Sequence, residues 1–124
     1  MAVRVVHFSQ VPAEPVAEAE GVTIRWLIAR AHGAPHFAMR LFEVPPGGAS
    51  PHHRHWWEHE VFVLDGEGLA STEEGDFPLR PGVAVLVPGE VLHQFRNSGS
   101  AVLRFLCLVP HPELQGWAGR GEGL

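Results

Sequence analysis

Glycine and proline punctuate this chain at short intervals, and that spacing limits the fold more than any other feature. They number 14 and 11 among 124 residues. Between them lie runs of about four to eight β-branched, leucine and aromatic residues, which is the length and composition of strands. No window of about 12 residues carries a clean helical stripe. Strands are expected at 23–30, 37–44, 59–64, 69–72, 83–87, 92–96 and 102–109. Turns are expected at Pro45-Pro46-Gly47-Gly48, Asp65-Gly66, Glu74-Gly75-Asp76, Pro81-Gly82, Pro88-Gly89 and Asn97-Ser98-Gly99. The segment 16–20 has room for one helical turn at most, and the tail after Pro110, with Trp117 its single large apolar residue, reads as a surface strap. Many short strands joined by tight turns predict one all-β domain, a small barrel or jelly-roll sandwich.

Residue usage excludes several kinds of function. Nine arginines and no lysine against 14 acidic residues leave a formal charge of −5, which argues against nucleic acid as a partner. Without lysine there is no Schiff-base chemistry, and without tyrosine no phenolic acid or base. The one cysteine, Cys107, rules out an intramolecular disulfide and a CxxC site, and fits a reducing cytoplasm. No apolar stretch approaches the roughly 18 residues of a membrane span, so no membrane partner is expected.

Nine histidines are the anomaly. Four of them fall within Pro51-His52-His53-Arg54-His55-Trp56-Trp57-Glu58-His59-Glu60. On an extended strand His53 and His55 share a face while His52 and Arg54 take the other. His59 keeps the parity of His53 and His55 if the intervening connection is short, and His93, at the start of a later apolar strand, is a candidate for a fourth position. Two or more imidazoles on one face can chelate a metal ion.

The spacing Gly47-x5-His53-x-His55-x3-His59-x6-Gly66 resembles the first cupin motif, G-x5-H-x-H-x3,4-E-x6-G, with histidine where glutamate is usual. Gly82-x5-Pro88-x-Glu90-x2-His93-x3-Asn97 resembles the second, G-x5-P-x-G-x2-H-x3-N, departing at Glu90, where glycine is usual. The runs 34–42, 57–64 and 105–110 are similar to small single-domain bacterial cupins that bind manganese through four histidines. The resemblance implies one jelly-roll cupin domain over 1–124, with motifs at 47–66 and 82–97 and flanks at 1–44 and 110–124. It also implies one divalent metal held by His53, His55, His59 and His93. Glu60 competes with His59 as third ligand, but it leaves only five residues before Gly66 and has the opposite parity.

Manganese is implied by resemblance alone, since imidazole also suits iron, nickel, copper and zinc and the Irving–Williams order places manganese low. Parity groups Phe95 with His93, Val61 with His59, and Phe105 with Cys107. These residues are candidates for an apolar pocket, with core packing as the plainer reading. Trp57 is bulk between ligands. Arg40 lies inside an apolar strand and must find a carboxylate at the rim or, facing inward, an anionic substrate. His7, His32, His36 and His111 read as surface or packing residues, and His52 as a brace.

The expected function is that of a metal-dependent oxygenase or related oxidoreductase acting on a small molecule in the barrel. Two alternatives remain: a binding or sensing cupin without turnover, and a metal-dependent isomerase of a sugar or keto acid. A homodimer is expected, because the strand around Thr23-Ile24-Arg25-Trp26-Leu27-Ile28 is apolar on both faces.

Overall fold

The computed structural model describes residues 2–111. Its strands are β1 (Glu14–Pro15), β2 (Thr23–Ile28), β3 (Phe37–Val44), β4 (His59–Asp65), β5 (Gly68–Thr72), β6 (Gly75–Leu79), β7 (Ala84–Val87), β8 (His93–Asn97) and β9 (Leu103–Pro110). Six of them form a sheet in the order β1-β2-β3-β9-β4-β7, and the other three form a second sheet in the order β6-β5-β8. All named pairs are antiparallel. This is the expected jelly roll.

All seven expected strands are present within two residues at their ends. Thr23–Ile28 stops short of Arg30 because the chain enters a 3-10 turn at Arg30–His32, closed by Gly33 at φ +92°. The segment 16–20 forms turns rather than a helix. The strand β6 is a correction, since its residues lie in what reads as a turn and its approach. Gly75 opens it at φ +126°, and Pro78 is tolerated because β6 is an edge strand, hydrogen-bonded among the described strands only to β5. Trp117 and the tail beyond His111 lie outside the described residues.

Strict alternation places the core. On β9 Leu103, Phe105, Cys107 and Val109 are buried while their neighbours are half-buried; on β4 His59, Val61 and Val63 are buried between exposed residues. Both inner faces meet in one cluster that includes Val44, Val63, Phe95, Leu103 and Phe105. The ring of Phe105 stacks on Phe42 at 5.3 Å and meets Phe95 at 5.0 Å. The outer face of β2 is covered by the chain's own start: Arg25 donates to the carbonyls of Phe8 and Val11 and pairs with Glu43 at 2.7 Å. The inner face of β2 turns Ile24 and Trp26 toward the barrel.

Motif glycines are explained where the backbone demands them. Gly66 sits at φ +85°, and a Cβ there would lie 2.5 Å from the Val102 carbonyl oxygen. Glu90 adopts φ +69°, the left-handed region where a side chain is disfavoured, and this accounts for the glycine usual at that motif position.

Candidate metal centre

Three elements from different parts of the chain bring histidines together. β4 supplies His59 and β8 supplies His93, one from each sheet, and the irregular segment 51–58 supplies His55. That segment is not the extended strand its parity suggests. Its ladder is reduced to one isolated bridge, in which His53 and His93 exchange backbone hydrogen bonds, and the chain bends at Trp56 and Trp57. The amide of Glu90 donates to the His55 carbonyl at 2.6 Å, and the Trp56 carbonyl lies so close to Gly89 that a Cβ there would overlap it. The second motif therefore grips the first.

One potential ligand atom from each of His55, His59 and His93 lies within 4.8 Å of the other two. In each ring Nδ1 is engaged elsewhere. Nδ1–H of His55 donates to the Trp57 carbonyl at 3.0 Å, and that of His93 to the Val91 carbonyl at 2.8 Å. His59 Nδ1 meets the Cys107 thiol at 3.2 Å. The Nε2 atoms are left facing one another, with His59 and His55 at 2.9 Å. His55 and His93 hold their hydrogens on Nδ1, so both present a lone pair inward. Trp57 stacks on His55 at 4.0 Å and 2°, fixing its ring plane. Anchored Nδ1 atoms with convergent Nε2 lone pairs are how metal-binding histidines are held, and the cluster is compatible with a divalent ion.

Burial keeps these imidazoles neutral. His59 is pushed down to about 2, first by desolvation and then by the nearby charge of Arg40. His55 and His93 are also lowered, again chiefly by burial. Neutral imidazole is the form that binds metal.

The cluster sits in the wall of a cavity of about 490 Å³. Arg40, Trp57, Phe95, Phe105 and Cys107 line it, together with His53. Val61 does not; it faces inward but is packed into the core. His53 stands apart from the three-histidine group, its Nε2 3.7 Å from the exposed Glu18 carboxylate. Glu60 is exposed on the opposite face of β4 from His59. His52 is also exposed. Sequence reasoning missed Trp26, Phe42 and Ser50 on the cavity wall, and it read His111 as a surface or packing residue without placing it there. His111 is buried on the wall and donates to the Ala34 carbonyl at 2.6 Å. Alternation along β3 was the available signal for Phe42, because it shares the parity of Arg40.

Register aligns the wall. Trp26, Arg40 and Cys107 are cross-strand partners in one row across β2, β3 and β9, and the row continues on β4 to Val61 in the core. Among the described residues Arg40 finds no carboxylate there: its Nη2 donates to Cys107 Sγ at 3.0 Å, and its guanidinium lies 5.6 Å from the Trp26 ring centre and 5.0 Å from that of Phe42.

Residues 40–109 match the family model of the cupin domain. The chain belongs to the cupin family. Among its relatives, a 1-methylthio-D-xylulose 5-phosphate methylsulfurylase of Rhodospirillum rubrum is 41% identical over 71 residues, covering 57% of this chain and 46% of that protein. This cupin thus matches less than half the length of that relative. Protein SchB of Streptomyces halstedii is 32% identical over 116 residues, 90% of this chain and 83% of the other. The structure of the polyketide cyclase RemF from Streptomyces resistomycificus superposes with a TM-score of 0.83 at 35% identity, covering 88% of this chain and 80% of that one.

Proposed function

We propose that this cupin is a metal-dependent enzyme acting on a small, partly apolar carbonyl compound held in the barrel. One divalent ion is bound by His55, His59 and His93, with His53 as the fourth ligand once its ring turns from Glu18. The observation that carries this reading is the convergence of three Nε2 atoms on an apolar cavity while each Nδ1 is engaged. Manganese is the proposed ion on the resemblance to four-histidine cupins; iron, nickel, copper and zinc compete for the same donors.

A divalent ion bound there supplies Lewis-acid polarisation of a substrate oxygen. His55 and His93 are already in the tautomer that binds. His59 Nε2 faces the lone pair of His55 Nε2, so without metal it carries the hydrogen and its Nδ1 accepts from the Cys107 thiol. Binding requires that hydrogen on Nδ1, where Cys107 Sγ becomes its acceptor. Trp57 keeps His55 in plane, and Phe42, Phe95 and Phe105 exclude water from the wall.

Carbonyl chemistry of the cyclase kind is favoured by the likeness to RemF over most of both chains. Oxygenase or related oxidoreductase activity is the second reading, favoured by the aromatic wall beside the histidines. The test strips the protein with a chelator, reloads it with each metal in turn, and follows a poly-β-carbonyl test compound together with dissolved oxygen. Ring closure without oxygen uptake supports the first reading, and oxygen uptake supports the second. An isomerised sugar phosphate or keto acid in a parallel assay selects an isomerase, and saturable binding without product selects a sensor. Turnover that is indifferent to metal removal refutes the metal centre. We also propose a homodimer whose interface includes β2, the strand whose sequence is apolar on both faces.

A further inference from the structure

We infer that the natural ligand of this cavity is a small organic anion with an apolar body, its acidic end bound by the Arg40 guanidinium. This deepens the reading of the cavity as the substrate site and does not depend on the metal.

The chain has 14 acidic residues and a net charge of −5, yet among the described residues none lining the cavity is aspartate or glutamate. Glu18, which faces His53, is well exposed and outside that lining. Three other arginines meet carboxylates: Arg25 and Arg104 share Glu43 at 2.7 and 2.8 Å, and Arg54 meets Glu73 at 3.1 Å. Arg40 is treated differently. It is half-buried, its hydrogen bond goes to sulfur, and its Nε is buried with no partner. Aromatic faces attract the cation without neutralising it, and a desolvated charge left without a counter-ion is costly. An anion entering the cavity supplies the missing charge with strong, charge-assisted hydrogen bonds.

The rest of the wall describes the remainder of that molecule. Trp26 and Phe42 flank Arg40, and Phe95, Phe105 and Val109 continue the surface. These groups accept an aromatic or otherwise apolar body. The cavity's volume of about 490 Å³ admits a molecule larger than a single ring.

The probes are benzoate and benzamide, which share a shape and differ in charge. Both are titrated by calorimetry into chelator-stripped protein at about pH 8, where ordinary histidines are neutral. Benzoate is expected to bind at least about tenfold tighter than benzamide. In Arg40→Gln that preference falls to within about twofold, and Arg40→Lys retains part of it. Equal binding of the two probes to the wild type, no binding of either, or a preference that survives Arg40→Gln overturns the inference. The wild-type comparison stands even if Arg40→Gln fails to fold. Metal content is measured on separate samples of the same proteins, so an absent metal centre and an absent anion site give different results.

Discussion

Acidifying the metal-free protein tests the site through its effect on stability. His59 is 8% exposed and its folded-state value is about 2, against 6.5 for an unperturbed imidazole. The unfolded chain therefore takes up this proton first, and stability is lost as pH falls below about 6.5, progressively toward 2. Going from pH 7 to pH 4.5 therefore removes about 2–3 kcal/mol through His59 alone. That is a large fraction of the 5–15 kcal/mol typical of a domain. Other groups titrate in the same window, so the measurement is a difference: urea unfolding of wild type and His59→Gln at both pH values. His59→Gln is destabilised at pH 7 by loss of its contacts but lacks this titration, so its stability falls by about 2–3 kcal/mol less between the two pH values. Equal losses in the two proteins would show that His59 is not held neutral by burial, and the electrostatic account of the site would fail.

Elemental analysis of His55→Ala, His59→Ala and His93→Ala is expected to show most bound metal lost, with a smaller loss in His53→Ala and none in Glu60→Ala; an empty Glu60→Ala site would refute the ligand set. Occupancy in the wild type should persist below the ordinary imidazole range, because burial lowers His55, His59 and His93 and weakens proton competition; release centred near pH 6.5 would contradict this. Glu90→Gly, which relieves a left-handed residue at φ +69°, should raise the free energy of unfolding by about 1 kcal/mol, and an unchanged or lower urea midpoint would refute the strain. Light scattering at micromolar concentration should report twice the mass of one chain, and a monomer would reject the dimer.

Much of the site was legible because local rules acted on it. Period-two alternation put His59, Val61 and Val63 on one face, set Glu60 on the other, and grouped Phe105 with Cys107. Glycine spacing marked the turns, and Gly66 is required both by its φ and by the approach of the Val102 carbonyl. The parity argument for His53 and His55 assumes extended backbone and holds only where a neighbouring strand supplies a continuous ladder, and here one bridge remains. The strand β6 was missed because it is short and begins in a turn, and pairing with β5 holds it extended.

The sequence by itself determined the β class, the positions of seven of the strands, the cupin motifs and the histidines in them, since these depend on side-chain pattern and turn chemistry within a few residues. Tertiary structure alone decided that His53 leans toward Glu18 while three other imidazoles converge. It alone set Arg40 beside Cys107 and between aromatic rings, with no carboxylate among the described residues. Those outcomes depend on the register of strands far apart in the chain: Arg40 and Cys107 are 67 residues apart. A one-residue slip of either would turn its side chain to the opposite face of the sheet.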